Sequence, residues 1–158
     1  MILEKGDMWN ILDETNVFCI TTNSYFNFKE HKNFKEYKLI MEAGIAKEAK
    51  LRFPDLPRIA CNKLIIHGTQ HLQFYGTRYI SIEDYNILLF QTKYHFKDKS
   101  EIGLIKKSLH SLFHWMLEYP EFRFDLNFPG IGYDGLKRET VLPHLELFPD
   151  NLHIWELK

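Results

Sequence analysis

The chain has little that would staple it or anchor it. Two cysteines among 158 residues, Cys19 and Cys61, are too few for a disulfide framework. Cys19 lies in the apolar run Val17-Phe18-Cys19-Ile20, where a reduced thiol serves as a small hydrophobe. Residues 1–30 contain no basic-then-apolar leader, and no apolar run reaches the length needed to cross a bilayer. These absences predict a soluble, cytoplasmic protein with no membrane partner. A net charge of −1 excludes a protein that grips nucleic acid through its overall field.

Metal-binding spacing is also missing. His67 and His71 are separated by the helix breaker Gly68, and His110 and His114 fall on the polar side of a predicted helix. Neither pair has a His-Glu-x-x-His pattern or a carboxylate third ligand, so neither zinc nor any cofactor is expected. There is no Gly-x-Ser-x-Gly elbow, no P-loop and no Gly-x-Gly-x-x-Gly after a first strand. Ordinary esterase, NTPase and dinucleotide-binding readings therefore fail. Internal repeats and low-complexity segments are absent too.

What is present is a ring-rich sequence. Aromatic residues make up 15%, which points to a core or a ligand site built of rings. The length suits one domain, residues 1–158. In chain order, residues 1–5 predict a strand ended by Gly6-Asp7, residues 8–12 a helical turn, and residues 17–22 a buried strand running into Asn23. Residues 24–38 alternate Phe and Tyr with Lys, Glu, Asn and His without a clean period, and read as a surface insertion. A helix follows to Phe53, stopped by Pro54, and a second covers 58–67 before Gly68. Strands are expected at 72–75, 79–82 and 87–90, the last with the continuous apolar character of a central strand.

Ser100 is placed to cap the clearest helix in the chain, with Ile102, Ile105, Leu109, Leu112, Phe113 and Met116 at helical spacing. Residues 122–128 predict a strand, 129–135 a Gly-rich turn, 136–147 a helix with a kink or late start at Pro143, and 152–157 a closing strand. Strands alternating with helices give a three-layer α/β/α domain, with a mixed sheet because 72–90 has hairpin-like spacing.

Four segments fall just after predicted strands, where open α/β sheets bind ligands. They are Gly6-Asp7-Met8, Asn23 together with the helix start Met41-Glu42-Ala43-Gly44-Ile45, Thr92-Lys93, and the turn containing Gly130-Ile131-Gly132-Tyr133-Asp134. The unpaired amides of a helix start suit a phosphate, and small residues there allow close approach. Each residue also has a plainer role open to it. Asp7 and Asn23 suit turns, Tyr133 a half-buried core ring, Lys93 a polar surface loop, and the 41–45 stretch an ordinary buried helix start.

In their order and spacing these segments resemble a macro domain, the ADP-ribose-binding fold, over nearly the whole chain. Gly6-Asp7-Met8 is similar to the family's Gly-Asp-Ile element, and Thr21-Thr22-Asn23 to its strand-end Asn. Residues 40–50 resemble its Val-Met-Gly-Ala-Gly-Ile-Ala-Lys loop and helix. Thr92-Lys93 and the helix after Ser100 resemble the terminal ADP-ribose glycohydrolase and ADP-ribose 1″-phosphate phosphatase subset. The resemblance implies that Asp7 accepts a hydrogen bond from the adenine amino group, with Met8 beside it. Met41, Glu42, Ala43, Gly44 and Ile45 would receive the pyrophosphate. Gly130, Ile131, Gly132 and Tyr133 would hold phosphate and distal ribose, and Asn23 would bind the ribose hydroxyls.

It also implies that Lys93 attacks the anomeric carbon with help from Asp134, or that Asp134 acts at a 1″-phosphate. Such a nucleophilic lysine needs a lowered pKa, from burial or charged neighbours. The implied partner is ADP-ribose or an ADP-ribosylated macromolecule, protein or nucleic acid, met by a monomer. A non-catalytic ADP-ribose reader is the rival reading.

Three departures stand out. Glu42 replaces a family Gly, and its carboxylate repels a pyrophosphate unless it turns to solvent. The second Gly-rich loop is short, so Asp134 can be aligned in two ways. The 24–38 insertion is long enough to cover the distal ribose or touch a larger target.

Overall fold

The structure, a computed structural model, describes residues 1–132 and 135–157. Five strands lie parallel in one sheet: β1 (Ile2–Lys5), β8 (Leu152–Glu156), β7 (Phe124–Asn127), β2 (Val17–Thr22) and β6 (Tyr85–Gln91). A sixth, β5 (Thr77–Ile82), runs antiparallel to β6 and closes the far edge. The sheet is thus mixed, as the hairpin spacing predicts, and β2 sits between β6 and β7.

Strand alternation sends the two faces of each central strand into different cores. Phe18 and Ile20 of β2, with Ile87 and Leu89 of β6, pack under α1 (Gly44–Arg52) and α2 (Leu56–Ile66). Val17, Cys19, Leu88 and Phe90 pack on the other face, under α3 (Ile102–Glu118) and α4 (Arg138–Leu145). Both faces are covered, which is why β6 reads as an unbroken apolar run. Each such side chain taken fully out of water contributes about 1.5–3 kcal/mol. The architecture is the expected three-layer α/β/α.

Local expectations were met unevenly. Residues 26–39 are not irregular. They form an antiparallel hairpin, β3 (Phe26–Glu30) and β4 (Lys35–Leu39), separate from the main sheet. Phe26, Tyr37 and Leu39 pack into the core beneath it, while Lys29 and Lys38 face water.

No strand forms at 72–75: Leu72 N donates to Ser24 O, Gln73 N to Gln70 O, and Tyr75 N to a buried side chain (below). Ser100 does not cap α3; Glu101 occupies that position in extended conformation, and its amide donates to the Thr92 carbonyl. The helix after Pro54 starts early, at Leu56, with Pro57 in its first turn, where a missing N–H costs nothing. The last helix starts late, at Arg138, and keeps Pro143 inside its span. Among the described residues no helix is long and apolar enough to cross a membrane.

Candidate functional site

In a parallel sheet, every strand ends on the same side. The turns after β1, β2, β6 and β7 and the end of β8 therefore share one rim, and a chain of contacts runs around it. Gly6 N donates to Glu156 O at 2.9 Å, tying the first turn to the end of β8. Phe128 N donates to Trp155 O at 2.8 Å, tying the Gly-rich turn to the same strand. Gly130 packs against Ser100 and Ile105, at the entry to α3. Thr92 N donates to Thr22 O at 3.0 Å, and Asn23 Nδ2 donates to Ile40 O at 3.0 Å, just before α1. The circuit closes where Trp9 Nε1 donates to Glu48 Oε2 at 2.5 Å, with the Arg52 guanidinium 4.4 Å from the Trp9 ring.

At the β1 end is an open cleft of about 410 Å³, lined by Lys5, Gly6, Asp7, Asn10, Trp155 and Leu157. Asp7 is exposed, and its Oδ1 accepts from Trp9 N at 3.0 Å, capping the 3-10 turn Met8–Ile11. A carboxylate has further lone pairs, so Oδ2 is available to read an amino donor. Met8 is buried at 4% exposure and belongs to the core, leaving only its backbone for a ligand.

The α1 start has the form an anion needs. Ala43 is extended, no side chain caps the helix, and Gly44 holds φ +55°, a conformation that favours glycine. Met41 is buried, Ile45 half-buried, and Ala43 and Gly44 are exposed. The Glu42 carboxylate is exposed and paired with the Lys50 ammonium, which neutralises it and draws it along the helix. The repulsion posed by this departure from the family pattern is thereby relieved.

At the other end, Asn23 is 6% exposed and both ends of its amide are engaged. Oδ1 accepts from Tyr25 N at 2.8 Å and Nδ2 donates to Ile40 O, leaving one N–H for a ligand. Lys93 is half-buried, and its Nζ donates to the Asp98 carbonyl at 3.3 Å. Gly130 and Ile131 are half-buried and Gly132 exposed, in a turn closed by Gly135 N donating to Gly132 O at 2.8 Å. A Cβ at Gly135 would collide with the Gly130 carbonyl oxygen, so the turn requires glycine there. Tyr133 and Asp134 lie outside the described residues.

Sequence reasoning missed what holds this end. Gln91, fully buried, closes β6 and uses its whole amide. Oε1 accepts from Tyr75 N at 2.8 Å and Gly76 N at 3.3 Å, while Nε2 donates to Ser24 Oγ and Gln73 O, each at 3.1 Å. The Tyr75 hydroxyl bonds to Thr22 Oγ1 and donates to Asn23 O at 3.0 Å, and burial raises its pKa. Asn23 and Lys93 are thus each flanked by residues locked into one network.

Trp155, also missed, lines the cleft beside Gly6, and its Nε1 donates to the buried Asp125 carboxylate at 2.6 Å. Asp125 further accepts from Arg123 Nε at 2.8 Å and Thr15 Oγ1 at 2.6 Å. The only sequence signal was an acid inside an apolar strand, which must find donors.

No family model matches the sequence, and no curated protein matches it. The fold does have counterparts. The macrodomain of Thermus aquaticus DarG covers 99% of this chain and 97% of its own, with TM-score 0.69 and 17% identity. The macrodomain of Mycobacterium tuberculosis DarG covers 98% and 97%, with TM-score 0.70 and 19% identity. Thermosipho africanus DarTG, solved in complex with ADP-ribose, matches over 99% of this chain and 42% of its own length, with TM-score 0.72 and 19% identity. The chain therefore has the macrodomain fold.

Proposed function

We propose that this chain binds ADP-ribose along the rim and hydrolyses a bond at the distal ribose. It would free ADP-ribose from a protein or nucleic acid, or phosphate from ADP-ribose 1″-phosphate. The observation that carries this reading is the convergence of four turns, distant in sequence, with the end of β8 on one rim of the sheet. The presence of ADP-ribose in a neighbour of the same fold supports it.

In this reading Asp7 takes the adenine amino group, and the Trp155 ring offers a face for the base. The amides of 43–45 receive the pyrophosphate at the positive end of α1. Gly130, Ile131 and Gly132 close over the phosphates from the other side with Tyr133, and Asn23 holds the distal ribose. Lys93 Nζ forms a bond to the anomeric carbon as the bond to the target breaks, and Asp134 carries the proton that the nitrogen sheds to the leaving group. Water then releases ADP-ribose and returns the amine. On a 1″-phosphate, Asp134 serves as base or nucleophile.

We take residues 1–158 as one domain with its insertion at 24–38, acting as a monomer. The two buried free cysteines, Cys19 and Cys61, suit the reducing cytoplasm.

The test is incubation with ADP-ribosylated protein, ADP-ribosylated DNA and ADP-ribose 1″-phosphate, assaying free ADP-ribose and phosphate. Absence of turnover on all three overturns the hydrolase. The rival, a reader that binds and does not cut, draws on one observation: the Lys93 amine is engaged by the Asp98 carbonyl. It predicts ADP-ribose affinity in calorimetry with no turnover on any substrate.

A further inference from the structure

The outer face of α3 carries two imidazoles that the reading above does not use. His110 and His114 stand one helical turn apart and both are exposed. Their rings are edge-on, 89° apart in plane, with Nε2 atoms 3.2 Å from one another. One Nε2 must therefore carry a proton and donate it to the lone pair of the other.

That separation is also the bite of a metal ion. With metal–nitrogen bonds of about 2.0–2.1 Å, two nitrogens this far apart subtend about 100° at the ion. The angle lies between the right angle of tetragonal coordination and the tetrahedral angle. The helix that carries the pair is held from beneath, because its Leu109, Leu112 and Met116 are buried in the core. Little ordering is left for an ion to impose on the backbone.

Lys106 lies one turn before His110 and Glu118 one turn after His114, both exposed. Among the described residues no three ligating side chains cluster, so the remaining coordination positions fall to water. The sequence reading set this pair aside for want of a third protein ligand, but a two-imidazole chelate needs none.

We propose that His110 and His114 form a solvent-facing bidentate site for a late first-row divalent cation, Cu2+, Ni2+ or Zn2+. The ion takes the place of the shared proton, which moves through solvent to Nδ1 of the same ring. The site is independent of the ADP-ribose reading and stands if that reading fails.

Calorimetric titration of the full chain with CuCl2, NiCl2 and ZnCl2 at neutral pH tests it. One ion per chain is expected, with Cu2+ bound most tightly. His110→Gln or His114→Gln should each weaken binding at least about tenfold, the least that losing even an outer-shell partner of a ligand costs. His67→Gln, an exposed histidine elsewhere, should change nothing. No binding of any of the three ions overturns the proposal, as does binding that survives both substitutions. Should a variant misfold, Ni2+ broadening of the His110 and His114 ring signals in the wild-type NMR spectrum decides the matter, and unbroadened signals overturn the site.

Discussion

The two ends of the rim are built on different principles. At the β2–β6 end, Asn23 and Lys93 are set beside residues held by the buried Gln91 amide and the buried Tyr75 hydroxyl. At the β1 end, Asp7 is exposed on a short 3-10 turn, and the cleft beside it is open. Groups that must meet a reacting atom need positions fixed to a fraction of an ångström, and a buried, fully satisfied network supplies that. A carboxylate that reads one amino group tolerates more freedom. In the reading offered here, chemistry occupies the rigid end and recognition the open one.

Five outcomes break or sharpen this contrast. The largest is Lys93→Ala, which should reduce turnover by about 10²–10⁴-fold while ADP-ribose affinity stays near wild type, measured by single-turnover assay and calorimetry. A parallel fall in affinity would place Lys93 in binding instead. Next is Gln91→Leu, which strands the Tyr75 and Gly76 amides and should cost about 2–4 kcal/mol in urea unfolding. Equal losses in Gln91→Leu and Asp7→Ala would erase the difference between the ends.

Asp7→Ala removes a cap worth about 1 kcal/mol and should weaken ADP-ribose about 10–100-fold with its maximal rate unchanged. Trp155→Ala should act in the same direction, by about 1–3 kcal/mol of lost stacking.

A last effect, graded with pH, is in alkali. Burial pushes the pKa of the Cys61 thiol up to about 12 and raises those of the Cys19 thiol and the Tyr75 phenol as well. Above about pH 8.5 the unfolded thiols lose protons that the folded ones keep, so stability falls as pH rises. Each thiol contributes about 1.4 kcal/mol per pH unit until its folded pKa is reached. Native Cys19 and Cys61 should also resist alkylation at pH 8, and react once the chain unfolds.

Much of the frame was legible because long-range burial writes a strong local pattern. Ile87 to Phe90 are apolar on both faces, and α3 repeats its buried residues at helical spacing. The hairpin at 26–39 was not legible, since only Phe26, Tyr37 and Leu39 of its residues reach the core, while Phe28 and Phe34 are exposed among charged and polar neighbours. Residues 72–75 misled for another reason. Their apolar and aromatic character suits a strand, but the Gln91 side chain, 16 residues from Tyr75, takes the amides that would have paired. Nothing local announces a bond of that kind. At the rim, motif order singles out Asp7, Asn23, Gly44 and Lys93 as candidates, whereas Trp155 and Asp125 meet one another across two strands, which no local pattern announces.

The pairing of β1 with β8 has a consequence for biosynthesis. Among the described residues β8 is the sole strand beside β1, matched from Ile2 with His153 to Lys5 with Glu156. A ribosome delivers those partners far apart in time, β1 before every other strand of the fold and β8 after them. Until β8 is made, β1 has no strand to dock on and Asp7 has no fixed place. In the reading proposed above, the adenine end of the rim is therefore completed only once β8 has docked.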